Sequence, residues 1–207
     1  MKKVIIPILA LTIAVTASAT QFTLTGMAAG KSKVVNIQYH GNSFNVYAGA
    51  VLGKLDSGPT FDSYCVDLDH WDHLGDSYAV NLRMMSEQGP FGTRAAWLFN
   101  QYSGVVNSSD KGAALQLAIW DVIADGGDGI SHGVFRASSN STVNSLAGQY
   151  LAASAGQVSS AHWLQAVNHG RNGDRNQNFM AAVPEPSALA ALLIGSVTLL
   201  RRKSRSK

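Results

Sequence analysis

The residues of this chain best suited to chemistry are one cysteine and one oddly placed glutamine. Cys65 stands in Tyr64-Cys65-Val66, and no second cysteine occurs in the 207 residues. A disulfide framework needs pairs, so an exported lone thiol would have to be buried, used or masked. As a thiolate it is the one side-chain nucleophile soft enough to attack an unactivated amide carbonyl without much driving force. Gln116 stands in Leu115-Gln116-Leu117-Ala118-Ile119-Trp120. At helical spacing it shares a face with Ile119, Trp120 and Ile123, so its amide projects from an apolar stripe directed at the core. A polar end in that position needs a partner. Hydrogen bonding to backbone would supply one, and covalent capture by Cys65 would remove the amide's donors altogether.

The two blocks, in this order, resemble the paired motifs of bacterial thioester domains. One motif of that family is an aromatic residue, Cys and an apolar residue. The other is an apolar residue, Gln, two variable positions and two large apolar or aromatic residues. The resemblance covers about residues 22 to 181, with specificity concentrated in the two blocks. It implies that the Cys65 sulfur displaces ammonia from the Gln116 side chain and that the resulting thioester later bonds to an amine on a surface or matrix partner. Water competes with that amine, so the bond needs a dry pocket. Tyr64, Trp97 and Trp120 are candidates for the shield, with ordinary core packing as the plain alternative.

A second cluster, Asp67-Leu68-Asp69-His70-Trp71-Asp72-His73, follows the cysteine directly. Its spacing matches neither a zinc signature nor the twelve-residue calcium loop. It reads as a solvated loop in which His70 or His73 could act as general base toward the incoming amine. Asp125-Gly126-Gly127-Asp128-Gly129 reads as a turn. No metal and no cofactor is expected.

The ends of the chain carry addresses. Lys2 and Lys3, an apolar run from Val4 to Val15 and the small residues Ala17 and Ala19 form a signal peptide over residues 1–19. Residues 183–207 hold Pro184-Glu185-Pro186, an apolar stretch from Ala188 to Leu200 and a basic end. That tail resembles the PEP-CTERM sorting signal of Gram-negative bacteria, which implies an exosortase-type enzyme as a partner. The apolar stretch is shorter than the roughly 20 residues a bilayer core requires, so it spans only with help from its flanks. The basic end favours the cytoplasmic side. The expected location is therefore the cell surface, outer envelope or extracellular matrix, with the tail as a transient inner-membrane anchor.

With both ends set aside, residues 20–182 form one domain that holds nine Lys and Arg against twelve Asp and Glu. The overall pI near 9.1 belongs to the targeting segments, and it gives no ground for nucleic-acid binding. Alternating residues predict strands over 21–27, 33–39, 43–52, 60–68 and 78–82, with a turn at His40-Gly41-Asn42. Phe61, Ser63 and Cys65 share one strand face. Helical spacing then predicts a helix after Gly92 to about Tyr102 and another over 111–124, capped by Asp110 and stopped at Gly126. Two more helices are expected over 142–153 and 161–167, a turn-rich stretch over 170–178, and a closing edge strand at Asn178–Ala181. The fold class is α+β: a sheet or barrel-like part carries the Cys and a helical part carries the Gln.

Three functions are compatible with these readings. The first is a covalent adhesin, which is not an enzyme. The second is a structural exopolysaccharide or biofilm-associated protein in which the thioester is a passive crosslink or absent. The third is a Cys-dependent enzyme, disfavoured because no Cys/His/Asp pattern of such families is present and Gln116 would go unexplained.

Overall fold

A computed structural model describes residues 20–168 and 176–183. The signal segment with Ala17 and Ala19, and the tail with Pro184, Glu185 and Pro186, lie outside the described residues. Among those residues no helix is long and apolar enough to cross a membrane.

The strands come first along the chain. β1 (Thr20–Tyr39) and β2 (Asn42–Leu55) form a long hairpin. The two strands expected over 21–27 and 33–39 are a single one, whose register shifts between Met27 and Ser32. A bulge of this kind bends a strand without ending it. The predicted hairpin turn is formed by His40 and Gly41, both at positive φ. β3 (Thr60–Cys65) is shorter than expected and stops at the cysteine, and β4 (Ser77–Met84) follows.

α1 (Gly89–Tyr102) begins with Pro90 in its first turn, where a missing N–H costs nothing. α2 (Ser109–Asp125) carries Gln116, and every residue from Gly112 to Val122 is buried. Its N-cap is Ser108 rather than Asp110: the Ser108 hydroxyl accepts from the Lys111 N–H at 3.3 Å. Asp110 lies in the first turn, where its carboxylate accepts from Lys33 Nζ at 2.8 Å. Gly126 ends the helix in the left-handed conformation, as expected. A four-residue strand, β5 (Phe135–Ser138), precedes α3 (Ser141–Ser154).

The segment read as a helix over 161–167 is instead strand β6 (His162–Ala166). It lies between β4 and the final strand β7 (Phe179–Ala181). Trp163 and Leu164 are consecutive yet both buried, so the alternation that marks a half-exposed strand is missing. β7 is likewise not an edge strand, because it pairs with β3 on one side and β6 on the other.

The pairings close on themselves. β1 pairs with β2, β2 with β3, β3 with β7, β7 with β6, β6 with β4 and β4 with the start of β1, all antiparallel, while β5 extends the far end of β1. The result is a six-stranded barrel-like ring with α2 packed on β1 and β2 and flanked by α1 and α3. This is the α+β arrangement expected, with the Cys on the ring and the Gln on the helix over it.

Candidate functional site around Cys65 and Gln116

The site exists because one strand pairing stops early. β2 accompanies β3 only as far as the pair Val51 and Ser63, so the backbone of Cys65 has no β2 partner. Gln116 takes that place. The Cys65 N–H donates to Gln116 Oε1 at 3.1 Å, and Gln116 Nε2 donates to the Cys65 carbonyl at 2.8 Å. The carboxamide thus acts as a surrogate strand residue, which answers how a glutamine on an apolar face is satisfied. Gln116 is 1% exposed and Cys65 7%.

The sulfur has its own surroundings. The Cys65 thiol donates to the Asp67 carbonyl at 2.9 Å, and the Asp67 N–H approaches the sulfur at 3.4 Å. The Trp120 indole N–H is buried without a hydrogen-bond partner, and it faces the sulfur closely enough to favour the thiolate. Burial, followed by the Asp67 charge, pushes the thiol far above its ordinary range, against the opposing effects of the Asp67 N–H and Trp120. The resting group is a neutral thiol. Two N–H donors stand ready for any negative charge that develops on it.

Cys65, Gln116 and Trp120 line one cavity of about 340 Å³. Trp71, Tyr47 and Leu74 also line it, and all three are exposed. Of the three aromatics expected to shield the pair, only Trp120 lines this cavity. Tyr64 is fully buried and meets Phe99 edge-on at 5.9 Å, because neighbouring residues of a strand face opposite ways. Trp97 packs against Tyr102 at 6.0 Å. Trp71 takes the rim, held against Phe44 at 5.2 Å; its place in the loop after the Cys strand was the available signal.

The loop after β3 is a hydrogen-bonded knot. The buried Asp67 carboxylate accepts from the Asp69 N–H at 3.0 Å and from Asn178 Nδ2 at 2.8 Å, and it meets His70 Nδ1 at 2.9 Å. His70 is therefore engaged with Asp67, while His73 is largely exposed with its ring 3.8 Å from Asp76. Neither histidine lines the cavity.

Asp72 ties the same loop to the chain before β7. It accepts from the Asn176 and Gln177 N–H groups at 2.9 and 3.2 Å. The Tyr78 hydroxyl lies 2.7 Å from Asp72 Oδ2 and 2.6 Å from the Gln177 carbonyl. The Tyr78 hydroxyl donates toward both acceptors, its one proton shared between Asp72 and the Gln177 carbonyl. Burial raises the Asp72 pKa from 3.8 to about 6, with the hydrogen bonds from Tyr78 and the backbone working against the shift. A carboxyl raised in the folded state favours folding while protonated and loses that advantage as pH climbs through the folded value. Stability should therefore decline between about pH 4 and pH 6 on this account. Asp72→Asn, whose amide can donate to Tyr78, should flatten that part of the profile in denaturant melts taken across the range.

No protein-family profile matches the sequence, and no curated protein matches it. Among solved structures, the fold is similar to the N-terminal thioester domain of fibronectin-binding protein SfbI from Streptococcus pyogenes. The likeness has 13% sequence identity and a TM-score of 0.41, and it covers 80% of this chain and 94% of that chain.

Proposed function

We propose that Cys65 and Gln116 join in an internal thioester, and that this exported protein uses it to bond covalently to amines on a surface or matrix partner. The observation that carries the reading is the paired hydrogen bond between the Gln116 carboxamide and the Cys65 backbone in a buried corner. Holding the two groups together replaces a bimolecular encounter by an intramolecular one, an advantage of roughly 7–11 kcal/mol at best.

The chemistry uses what the corner contains. The sulfur attacks the Gln116 side-chain carbonyl carbon, and negative charge grows on Oε1, where the Cys65 N–H already donates. The thiol proton passes to Nε2, the C–N bond breaks and ammonia leaves. In the second stage an amine attacks the same carbon, a C–N bond forms, and the C–S bond breaks. The departing sulfur is met by the Asp67 and Trp120 N–H groups and recovers a proton from the amine. Trp71 and Trp120 are the residues we assign to keeping water away before a partner arrives.

The terminal motifs support the setting of this reading: a removable signal over residues 1–19 and a sorting tail over 183–207 read by an exosortase-type enzyme. A second reading has its own support, since the same two hydrogen bonds satisfy Gln116 with no covalent bond at all. In that case the protein is a structural envelope or biofilm component.

Intact-mass spectrometry separates the two. The thioester predicts a mass lower by one ammonia, restored to the calculated value in Cys65→Ala and in Gln116→Ala. Methylamine should then add one equivalent to the wild-type protein and none to either variant. A full, unreduced mass that methylamine leaves unchanged would sink the covalent reading.

A further inference from the structure

We propose that Asp121, Asp125 and Asp128 form a binding site for a calcium-class divalent cation at the end of α2. Read along the sequence, Asp125 to Gly129 is a plain turn. The fold adds Asp121 from the helix, one turn before Asp125, and brings one carboxylate oxygen from each of the three within 4.8 Å of the others.

The carboxylates are already oriented. Asp121 Oδ2 accepts from the Gly129 N–H at 3.0 Å, and Asp125 Oδ2 accepts from the Phe135 N–H at 3.1 Å. Their other oxygens are not served. Asp121 is completely buried, and both its Oδ1 and the Oδ1 of Asp125 are buried without a hydrogen-bond partner. An orphaned carboxylate oxygen in the interior is costly unless something positive meets it.

Arg94 acts on Asp121 only through space, without a direct ion pair. Among the described residues no lysine or arginine forms an ion pair with any of the three. Arg94 directs its guanidinium to Ser154 Oγ and to the carbonyls of Gly126 and Leu151.

Backbone geometry brings the following loop against the same carboxylates. At Gly133, with φ +69°, a Cβ would overlap Asp125 Oδ2 and stand 2.8 Å from Asp128 Oδ2. The absence of a side chain lets the loop close against the carboxylates. Donors that are all carboxylate oxygen suit a hard cation, and a loop with several positive-φ glycines suits the flexible coordination of calcium better than the strict octahedron of magnesium.

The site lies beside the cavity but does not depend on the thioester. Trp120 precedes Asp121 and packs edge-on against Phe135 at 6.1 Å, and Asp125 holds the Phe135 N–H. A cation would therefore clamp the helix end to the entry of β5, behind the cavity wall.

Thermal unfolding of the purified protein in calcium chloride against EDTA tests this, with magnesium chloride in parallel. Calcium at about 100-fold above its dissociation constant should raise Tm by roughly 5–10 °C, and magnesium by less. Terbium emission excited through tryptophan should appear and be displaced by calcium. Asp128→Asn, at an exposed position, and Asp121→Asn should lose both responses. Identical melting in calcium and EDTA without terbium emission would overturn the proposal. So would a calcium response retained in both variants, or a magnesium response equal to calcium. The intact mass of the same samples reports on the thioester separately, so failure of one assignment is not mistaken for failure of the other.

Discussion

Gly112→Ala is expected to destabilise the protein by about 3 kcal/mol, the upper end of what overpacking a close contact costs. A helix interior ordinarily gains close to 1 kcal/mol when glycine becomes alanine. Here the sign reverses because α2 crosses β1 at its bulge. A Cβ on Gly112 would overlap the Lys31 carbonyl oxygen and lie 2.7 Å from its carbonyl carbon. Backbone atoms cannot turn aside as a side chain can. Gly49, at φ +128°, meets the same carbonyl from β2, so the bulge is wedged from both sides. At roughly 2–4 °C per kcal/mol for a domain of this size, Tm should fall by about 6–12 °C. The effect should also reach the site, because Gln116 lies one turn further along α2. Lifting that turn moves the carboxamide off Cys65, and the ammonia deficit in the mass should shrink or vanish. The control is Gly148→Ala in α3, where a Cβ meets nothing within 4 Å. That substitution should raise stability by about 0.5–1 kcal/mol. If both alanines behaved alike in thermal melts, close approach at the bulge would not be what positions α2.

The readable parts of this molecule were those in which a residue's own preferences and its tertiary role agree. α2 shows its apolar stripe, its glycine stop and the out-of-place Gln116 because a helix packed over a sheet keeps its period in the sequence. The β1–β2 hairpin shows its alternation and its turn for the same reason. β6 concealed itself because both of its faces are covered, so that Trp163 and Leu164 are both buried, and His162 to Ala166 then look as much like a short helix as a strand. β7 was legible as extended, but its central place depends on β3 and β6 being brought together across about a hundred positions. Asp110 looked like the helix cap because aspartate favours that role, yet its carboxylate goes to Lys33 and the cap falls to Ser108. The site shows the same division. Cys65 and Gln116 were marked by residue type, whereas Trp71 at the rim and Asp67 around the sulfur became visible only once the loop after β3 had folded back.

Opening the proposed thioester with methylamine should lower Tm by about 8 °C or more, and this is the largest change in stability expected without any substitution. Cys65 and Gln116 are 51 positions apart, so a bond between them closes a long loop in the unfolded chain. The entropy removed from the unfolded state is worth about 4 kcal/mol by the relation used for disulfides of that loop size. Two hydrogen bonds also differ between the forms. In the opened protein the methylamide retains an N–H that can donate to the Cys65 carbonyl, and the freed thiol can donate again to the Asp67 carbonyl. The thioester can make neither of these two bonds, so the fall in Tm reads the crosslink less the hydrogen bonds regained on opening. Gln116→Ala should fall further than the opened protein, since it also strands the Cys65 N–H and carbonyl at about 1–3 kcal/mol each. Cys65→Ser should melt near the opened form, as it keeps the backbone partners of Gln116 and loses only the bond. A wild-type protein that melted with Cys65→Ser, both before and after methylamine, would mean that hydrogen bonds alone join β3 to α2.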